Sequence, residues 1–218
     1  MIAYIAVKGN SIRCPRKNHV LLPYVLNNIK DIFEQIVVIT DDNELADIAI
    51  TNNVAVYWDK SKHKISEFHA IYDFLYETNK LYTNDEFIIL PVTQPFRTKE
   101  TIKEVIIKDM TDYDVVTTYT TINNRNIFLL NDKLDGFKIQ SYNRKGSMCS
   151  VENMADGSIY KMRNSFLSHI VESENVNHEF WNSRIAFIRN THPIFLDVDE
   201  PKDLELFNKL ANCVNLND

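Results

Sequence analysis

The chain has few cysteines and few glycines, and it has no long apolar run. Its 218 residues include only 4 glycines and 3 cysteines, namely Cys14, Cys149 and Cys213. An odd number of widely spaced cysteines argues against a disulfide framework or a structural zinc site. No apolar run approaches the roughly 20 residues of a membrane span, and the opening run to Val7 is too short for a signal peptide. We therefore expect a cytoplasmic protein with no membrane partner.

Positive charge is also scarce. The chain has 24 Lys and Arg against 30 Asp and Glu, a formal net charge of -6. A generic nucleic-acid binder needs a basic face to neutralise phosphates, so no nucleic acid is expected as a partner. Any anionic ligand must instead meet a local cluster of basic residues. The 44% hydrophobic and 25% charged residues are typical of a globular protein, and the length favours one domain over residues 1–218.

Short apolar runs alternate with helical patterns along the first 120 residues. The runs predict strands at 2–7, 36–40, 54–57, 87–90 and 115–119, and the spacing of apolar residues predicts helices at 21–33, 43–51, 66–82 and 99–110. Asp42 and Thr98 stand where N-caps are expected. Strands that alternate with helices predict an α/β fold, with a mostly parallel, doubly wound sheet covered by helices on both faces.

The alternation breaks after residue 120. A hairpin is predicted from strands at 127–130 and 137–141 around Asn131 and Asp132, within a β-rich excursion that covers 120–165. A strand at 158–160, a helix at 165–171 and a late strand at 194–198 follow. The last helix is predicted at 201–211, with Pro201 in its first turn.

The loop after the first strand predicts an anion site. It contains Gly9, which suits a sharp bend or the close approach of a ligand. The basic residues around that glycine are Lys8, Arg13, Arg16 and Lys17. In α/β sheets this loop lies at the carboxyl ends of the strands, where backbone N–H groups and cations can bind a triphosphate and stabilise departing pyrophosphate. The loop has neither the Walker nor the dinucleotide glycine pattern. The alternative is a basic loop that is merely solvated.

Two carboxylates near the end of the chain predict a metal site. Asp197 and Asp199 would share one face of the predicted strand at 194–198 and its end, and hard oxygen ligands in this arrangement suit Mg²⁺ that carries substrate phosphates. The alternative is that one of them caps the helix that begins near Pro201.

Five segments resemble the N-acylneuraminate and Kdo cytidylyltransferases, in the order found in that family. They are Ser11 with Pro15-Arg16-Lys17-Asn18, Ile39-Thr40-Asp41-Asp42, Val92-Thr93-Gln94-Pro95-Phe96-Arg97, Asp156-Gly157-Ser158-Ile159-Tyr160, and Asp197-Val198-Asp199-Glu200-Pro201-Lys202-Asp203-Leu204. Their order over nearly the whole chain is more specific than any one of them. The resemblance implies a Rossmann-like nucleotidyltransferase fold and a homodimer, in which the excursion at 120–165 corresponds by location to the dimerisation arm.

The resemblance also implies a reaction. An acidic sugar, similar to sialic acid, would attack the α-phosphate of CTP to give a CMP-sugar and pyrophosphate, with Mg²⁺ as the cofactor. The nucleotide-binding residues would be Lys8, Gly9, Asn10, Ser11, Arg13, Lys17 and Asn18, and the acceptor-binding residues Thr93, Gln94, Arg97, Arg144 and Tyr160. Asp197 and Asp199 would bind the metal. Lys17, Asp199 and Arg13 are the expected catalytic residues, Arg13 from its charge and position alone.

Several positions depart from the family pattern. Ile12 replaces a lysine of the first loop, and Lys8 replaces an arginine, which keeps the charge but loses the bidentate fork. At the acceptor end, Asp59, Pro91 and Met154 stand where the family has arginine, glutamine and arginine. Two alternatives follow: a cytidylyltransferase for another sugar acid, an alditol phosphate or a phosphonate, or a catalytically weakened relative that binds nucleotide.

Overall fold

A seven-stranded sheet organises the chain in the computed structural model, which describes residues 1–60, 66–124, 150–192 and 194–213. The strands of this part are β1 (Ile2–Val7), β2 (Gln35–Thr40), β3 (Ala55–Trp58), β4 (Glu86–Ile89), β5 (Val115–Asn124), β6 (Ser150–Arg163) and β7 (Ile185–Arg189). Their order across the sheet is β3-β2-β1-β4-β6-β5-β7. The central strands β1 and β2 are almost continuously apolar because helices bury both of their faces.

One strand runs against the others. β6 pairs antiparallel with both β4 and β5, whereas the remaining pairs are parallel. The predicted α/β fold with a mostly parallel sheet is confirmed. β5 and β6 also continue as an antiparallel ribbon from the pair Thr120–Met154 to the pair Asn124–Ser150, at the root of the predicted excursion. The predicted hairpin around Asn131 lies outside the described residues.

Helices cover both faces of the sheet. Their bounds are α1 (Lys17–Ile29), α2 (Asn43–Thr51), α3 (Glu67–Glu77), α4 (Lys99–Ile107), α5 (Asn164–Glu172), α6 (Val176–Trp181) and α7 (Pro201–Leu210). On one face, α1, α2, α4 and α7 bury side chains such as Leu22 and Phe207. On the other face, α3, α5 and α6 bury side chains such as Ile71 and Phe180. No helix among the described residues is long and apolar enough to cross a bilayer.

The predicted elements mostly exist, but several bounds differ. The first helix begins at Lys17 instead of residue 21, because Arg16 adopts a left-handed conformation that starts the helix directly after the loop. The third helix ends at Glu77, five residues before its predicted end. The helix α6 and the strand β7 were missed, since both are short and β7 exposes Phe187 and Arg189.

The predicted strand at 194–198 is wrong. These residues join no sheet, and the N–H of Val198 donates instead to the carbonyl of Thr93 at 2.7 Å. Burial still alternates, with Leu196 and Val198 buried and Asp197 exposed. The alternation therefore comes from a segment that packs against the loop after β4, and sequence periodicity does not distinguish this packing from sheet pairing.

Thr98 caps α4, and the contribution of this cap to stability can be tested. The Thr98 hydroxyl accepts from the N–H of Thr101 at 3.3 Å and contacts the Thr191 hydroxyl at 2.8 Å. We expect Thr98→Val to lower the free energy of unfolding by about 1 to 2 kcal/mol, because the first turn of α4 loses its cap. Thr51→Val, at an exposed helix end, should change it by less than about 0.5 kcal/mol in the same urea titration. Equal effects of the two substitutions would contradict the role of the cap.

Candidate active site

A cleft of about 440 Å³ opens beyond the carboxyl ends of β1 and β4. From the first loop and the start of α1 it is lined by Lys8, Asn10, Ser11, Arg13, Lys17 and Asn18, and from the other elements by Glu67, Pro91, Val92, Thr93, Gln94, Asp156, Gly157, Tyr160, Asp197 and Asp199, together with Ala6. Most of the residues predicted for the nucleotide, the acceptor and the metal therefore share one cavity. The predicted acceptor residue Arg144 lies outside the described residues.

Contacts with the end of β2 fix the shape of the first loop. The N–H of Gly9 donates to the Asp41 carboxylate at 2.9 Å, and a β-carbon at position 9 would collide with the side chain of Asp42. Gly9 is therefore needed for this close approach, although it does not itself line the cleft. The Asn18 amide donates to the carbonyl of Lys8 at 2.8 Å, which ties the loop to the helix that follows.

A second set of contacts holds the start of α1 to α2. Arg16 makes a bidentate ion pair with Glu44, with N···O distances of 2.7 and 2.6 Å. The buried His19 ring places its Nε2 3.1 Å from Asp42, whose carboxylate also caps α2 by accepting from the N–H of Leu45. These contacts occupy Arg16, so the cations that the first loop and the start of α1 present to the cleft are Lys8, Arg13 and Lys17.

The buried Lys17 joins the first helix to the segment before α7. Its Nζ donates to the carbonyl of Val198 at 2.8 Å and to Oδ1 of Asp199 at 2.9 Å. The more exposed Arg13 contacts Oδ2 of the same carboxylate at 3.0 Å. Asp199 is thus held between two cations, and the three predicted catalytic residues form one ion-pair cluster.

Asp197 differs from Asp199 in its surroundings. The residue is exposed to the cleft, but the cleft walls shield its carboxyl from part of the solvent, and this desolvation raises the pKa of the carboxyl. The neighbouring charge of Asp199 raises the pKa further. A hydrogen bond with Thr93 acts in the opposite direction. Two neighbouring carboxylates that disfavour each other's charge are stabilised when a cation lies between them.

The carboxylate pair is compatible with Mg²⁺ as the predicted cofactor. Mg²⁺ takes oxygen ligands and is usually bound through one or two carboxylates, with substrate phosphates and water completing its shell. Asp197 and Asp199 supply such a pair beside the basic loop. No cluster of three or more His, Cys, Asp or Glu side chains that could hold a metal occurs within the described part of the chain. The donor set is therefore that of a metal bound together with a phosphate ligand.

A buried polar network forms the wall opposite the first loop. The Asp156 carboxylate accepts from the Thr118 hydroxyl, from the N–H of Ser158 at 3.0 Å and from the Asn190 amide at 3.2 Å. The Gln94 amide donates to the carbonyl of Asp156. This hydrogen bond to β6 holds the Gln94 side chain at the cleft surface. Asp156 holds the wall together through its hydrogen bonds, although the sequence did not mark it as functional.

Arg97 lies beneath this wall and does not line the cleft. It is buried, and its guanidinium donates to Ser158 at 3.4 Å and to the carbonyl of Pro91. Burial lowers the pKa of Arg97 to about 10, with the charges of Asp156 and Glu67 acting in the opposite direction. Arg97 therefore supports the wall from outside the cleft lining, and its predicted contact with the acceptor stays a prediction.

Tyr160 lines the cleft next to Gly157, which adopts a left-handed backbone conformation. Gly157 has φ +64, and a β-carbon there would collide with the Tyr160 hydroxyl. Burial raises the pKa of Tyr160, and the charges of Glu67, Asp156 and Asp197 raise it further. The phenol therefore stays neutral and can donate a hydrogen bond at physiological pH.

Glu67 is a lining residue that sequence reasoning missed. It is the first residue of α3, and burial raises the pKa of its carboxyl to about 7 although the charge of Arg97 opposes this shift. A glutamate in the first turn of a helix has an ordinary explanation in the helix dipole, so nothing in the local sequence marks it. Of the acceptor-end positions that depart from the family pattern, Pro91 lines the cleft, whereas Asp59 is buried and Met154 lies outside the lining.

The chain is similar over nearly its whole length to a curated protein and to solved structures, although no family model matches it. The curated relative, named CMP-N,N'-diacetyllegionaminic acid synthase, comes from Legionella pneumophila subsp. pneumophila (strain Philadelphia 1). It is 25% identical over 232 aligned positions, which cover 96% of this chain and 95% of the relative. This match confirms the resemblance predicted from the ordered segments.

Two solved structures share the fold. A CMP:2-keto-3-deoxy-manno-octonic acid synthetase complexed with CTP has a TM-score of 0.67 at 17% identity, with 97% of this chain and 98% of that chain covered. A 4-diphosphocytidyl-2C-methyl-D-erythritol synthase has a TM-score of 0.67 at 12% identity, with 96% of each chain covered.

Glu67 makes the stability of the protein depend on pH. Because its pKa is raised from 4.5 to about 7 in the folded chain, its contribution to stability is complete below pH 4.5 and is lost as the pH rises through 7. The loss amounts to at most about 3 kcal/mol, at about 1.4 kcal/mol per pKa unit. We expect Glu67→Gln to melt at the same temperature as the parent at pH 4.5 and at a higher temperature at pH 8. A difference in melting temperature that does not change with pH would contradict the shifted pKa.

Proposed function

We propose that this chain, a divergent member of the CMP-sugar cytidylyltransferase family, transfers CMP from CTP to a hydroxyl group of an acidic sugar and releases pyrophosphate. The observation that carries the proposal is that the basic first loop and the Asp197/Asp199 pair meet in one cleft, linked through Lys17. The names of the curated relative and of the CTP-complexed structure support CTP as the donor. The acceptor proposed first is a nine-carbon acid of the sialic acid class.

The nucleotide end of the cleft is the part lined by the first loop. Lys8 and Arg13 would face the phosphates, and Lys17 would approach them while it remains bonded to Asp199. This is a local positive cluster in a chain whose net charge is -6. Cations that are fixed before the ligand arrives stabilise the charge that develops on departing pyrophosphate, because they need no reorganisation during the reaction.

The residues that would hold Mg²⁺ are Asp197 and Asp199. When bound, the metal would supply Lewis-acid stabilisation of the phosphate oxygens and would orient the α-phosphate. Lys17 and Arg13 fix the position of Asp199, and Thr93 fixes that of Asp197. The chain therefore presents both carboxylates in a set orientation toward the basic loop.

The reaction is a displacement at the α-phosphorus. The acceptor oxygen forms a bond to this phosphorus, and the bond from phosphorus to the oxygen that bridges to the β-phosphate breaks. Pyrophosphate leaves with the bonding electron pair. The contributions of the protein are the positioning of the acceptor against the wall formed by Gln94, Gly157 and Tyr160, and the electrostatic stabilisation by Lys17 and Arg13.

A homodimer in the cytoplasm is part of the same proposal. The antiparallel ribbon of β5 and β6 leads into residues 125–149, which include the predicted acceptor residue Arg144. The dimerisation arm predicted at 120–165 would include these residues. Light scattering tests the assembly, and a monomer at micromolar concentration would refute it.

A second candidate is a cytidylyltransferase for a different acceptor, such as another sugar acid, an alditol phosphate or a phosphonate. The acceptor wall favours it, because Pro91 lines the cleft where the family has glutamine. A catalytically weakened relative is less well supported. Lys17, Arg13 and both carboxylates form an ordered cluster that nucleotide binding alone does not require.

Pyrophosphate release tests the proposal directly. We expect release with CTP and Mg²⁺, and none with ATP, GTP or UTP, when the acceptor panel contains sialic, legionaminic, pseudaminic and Kdo-like acids, an alditol phosphate and a phosphonate. The acceptor that supports turnover decides between the two candidates. Release with every nucleoside triphosphate alike, or with none, would contradict a cytidylyltransferase.

Asp199→Asn tests the carboxylate pair. The substitution keeps the shape but removes a charge on which Lys17, Arg13 and the metal depend, so we expect turnover to fall by at least about 100-fold, equivalent to roughly 3 kcal/mol. Asp47→Asn, at an exposed position on α2, is the matched control and should retain full activity. A requirement for Mg²⁺ that is unchanged in Asp199→Asn would refute the assignment of the metal site.

A further inference from the structure

Four carboxylates line the cleft, and Glu67 differs from the other three. The carboxylate of Asp156 accepts three hydrogen bonds, and that of Asp197 makes a hydrogen bond with Thr93. The carboxylate of Asp199 forms ion pairs with Lys17 and Arg13. Within the described ranges, no hydrogen bond or ion pair engages the Glu67 carboxylate. Glu67 is therefore available to a ligand, whereas the other three are committed to the protein or to the metal site.

Glu67 lies at the acceptor end of the cleft. Its charge acts on Tyr160, which lines the acceptor wall, and on Arg97 beneath that wall. The charge of Asp197 also acts on Tyr160. Tyr160 is thus a common neighbour of Glu67 and Asp197, and all three side chains line the cleft in which the acceptor would bind.

Among the described residues, Arg97 is the charged group that shifts the pKa of Glu67, and it lowers the pKa whereas burial raises it. α3 packs against β1, β2 and α5, and its Phe68 contacts Tyr160 and Phe180. The other titratable groups on or next to these elements include Tyr4, Lys8, Glu34, Asp41, Asp42, His69, Tyr72, Asp73, Tyr76, Glu77, Arg163, His169, Glu172, Glu174, His178 and Glu179. None of them contributes to the Glu67 shift. The carboxyl, whose pKa is raised to about 7, is therefore divided between its charged and neutral forms at neutral pH.

We propose that Glu67 is the catalytic base, whose carboxylate accepts the proton of the attacking acceptor hydroxyl. This inference rests on the proposed function. As the acceptor oxygen bonds to the α-phosphorus, its O–H bond breaks and the proton passes to the carboxylate of Glu67, which becomes neutral. Pyrophosphate leaves with the electron pair of the broken phosphorus–oxygen bond. The proton on Glu67 then returns to solvent through the open cleft, which restores the carboxylate.

A purely structural role would not require this side chain. A carboxylate that is crowded by the protein and has no hydrogen-bond partner destabilises the folded chain, and a glutamine of the same size would avoid that cost. Such a group is expected where its charge is used. General bases act best when their pKa lies near the working pH, as that of Glu67 does.

The pH dependence of turnover tests the inference. For the parent enzyme, kcat should rise with pH through about 7 as Glu67 loses its proton. Glu67→Gln should lower kcat by at least about 100-fold and abolish this rise, because the remaining rate has no base at this position. Glu67→Asp should recover part of the rate and keep the rise, since it retains a carboxylate. Glu104→Gln, exposed on α4, is the matched control and should behave as the parent.

Two further measurements, of CTP binding and of thermal unfolding, make the outcome decisive. Calorimetric titration of Glu67→Gln with CTP and Mg²⁺ should give the parent affinity, and thermal unfolding should show a folded protein. A Glu67→Gln variant that keeps the parent kcat and pH profile, or that raises only the KM for the acceptor, would overturn the inference while the proposed function stands. A parent protein that releases no pyrophosphate with any acceptor would overturn the proposed function, and the inference with it.

Discussion

The ammonium group of Lys17 joins two parts of the chain that are 181 residues apart in sequence. A buried cation is tolerated only when its hydrogen bonds are made, and here the carbonyl of Val198 and the carboxylate of Asp199 accept them. The same contact fixes the segment before α7 across the start of α1. The orientation of Asp199, which Arg13 also contacts, depends on it.

Charge is distributed unevenly around this contact. The first loop collects cations on one side of the cleft, whereas carboxylates prevail on the other side, in a chain that is acidic overall. The Arg97 guanidinium lies beneath the acidic wall and offsets part of its charge. A triphosphate with its metal is complementary to the first side, and hydroxyl groups that donate hydrogen bonds are complementary to the second. The nucleotide and the acceptor of the proposed reaction would therefore bind in different electrostatic environments within one cavity.

Local patterns carried most of what could be predicted from the sequence. Asp42 and Thr98 cap their helices as expected, because a capping residue acts on backbone groups only three positions away. The resemblance identified Lys17 and Asp199, which the structure brings into contact. Where long-range packing decided the outcome, local patterns were not sufficient. Residues 194–198 alternate in burial without forming a strand, and only the fold shows that Arg97 is buried.

The sequence by itself determined the alternation of strands and helices, the basic loop around Gly9 and the carboxylates Asp197 and Asp199, since each of these is encoded within a few neighbouring residues. The tertiary structure alone decided that β6 inserts antiparallel between β4 and β5, which places Asp156 and Tyr160 in the cleft. It also decided that Glu67 lines the same cleft. Such properties arise because burial and electrostatic fields are set by groups that meet only when distant segments pack together.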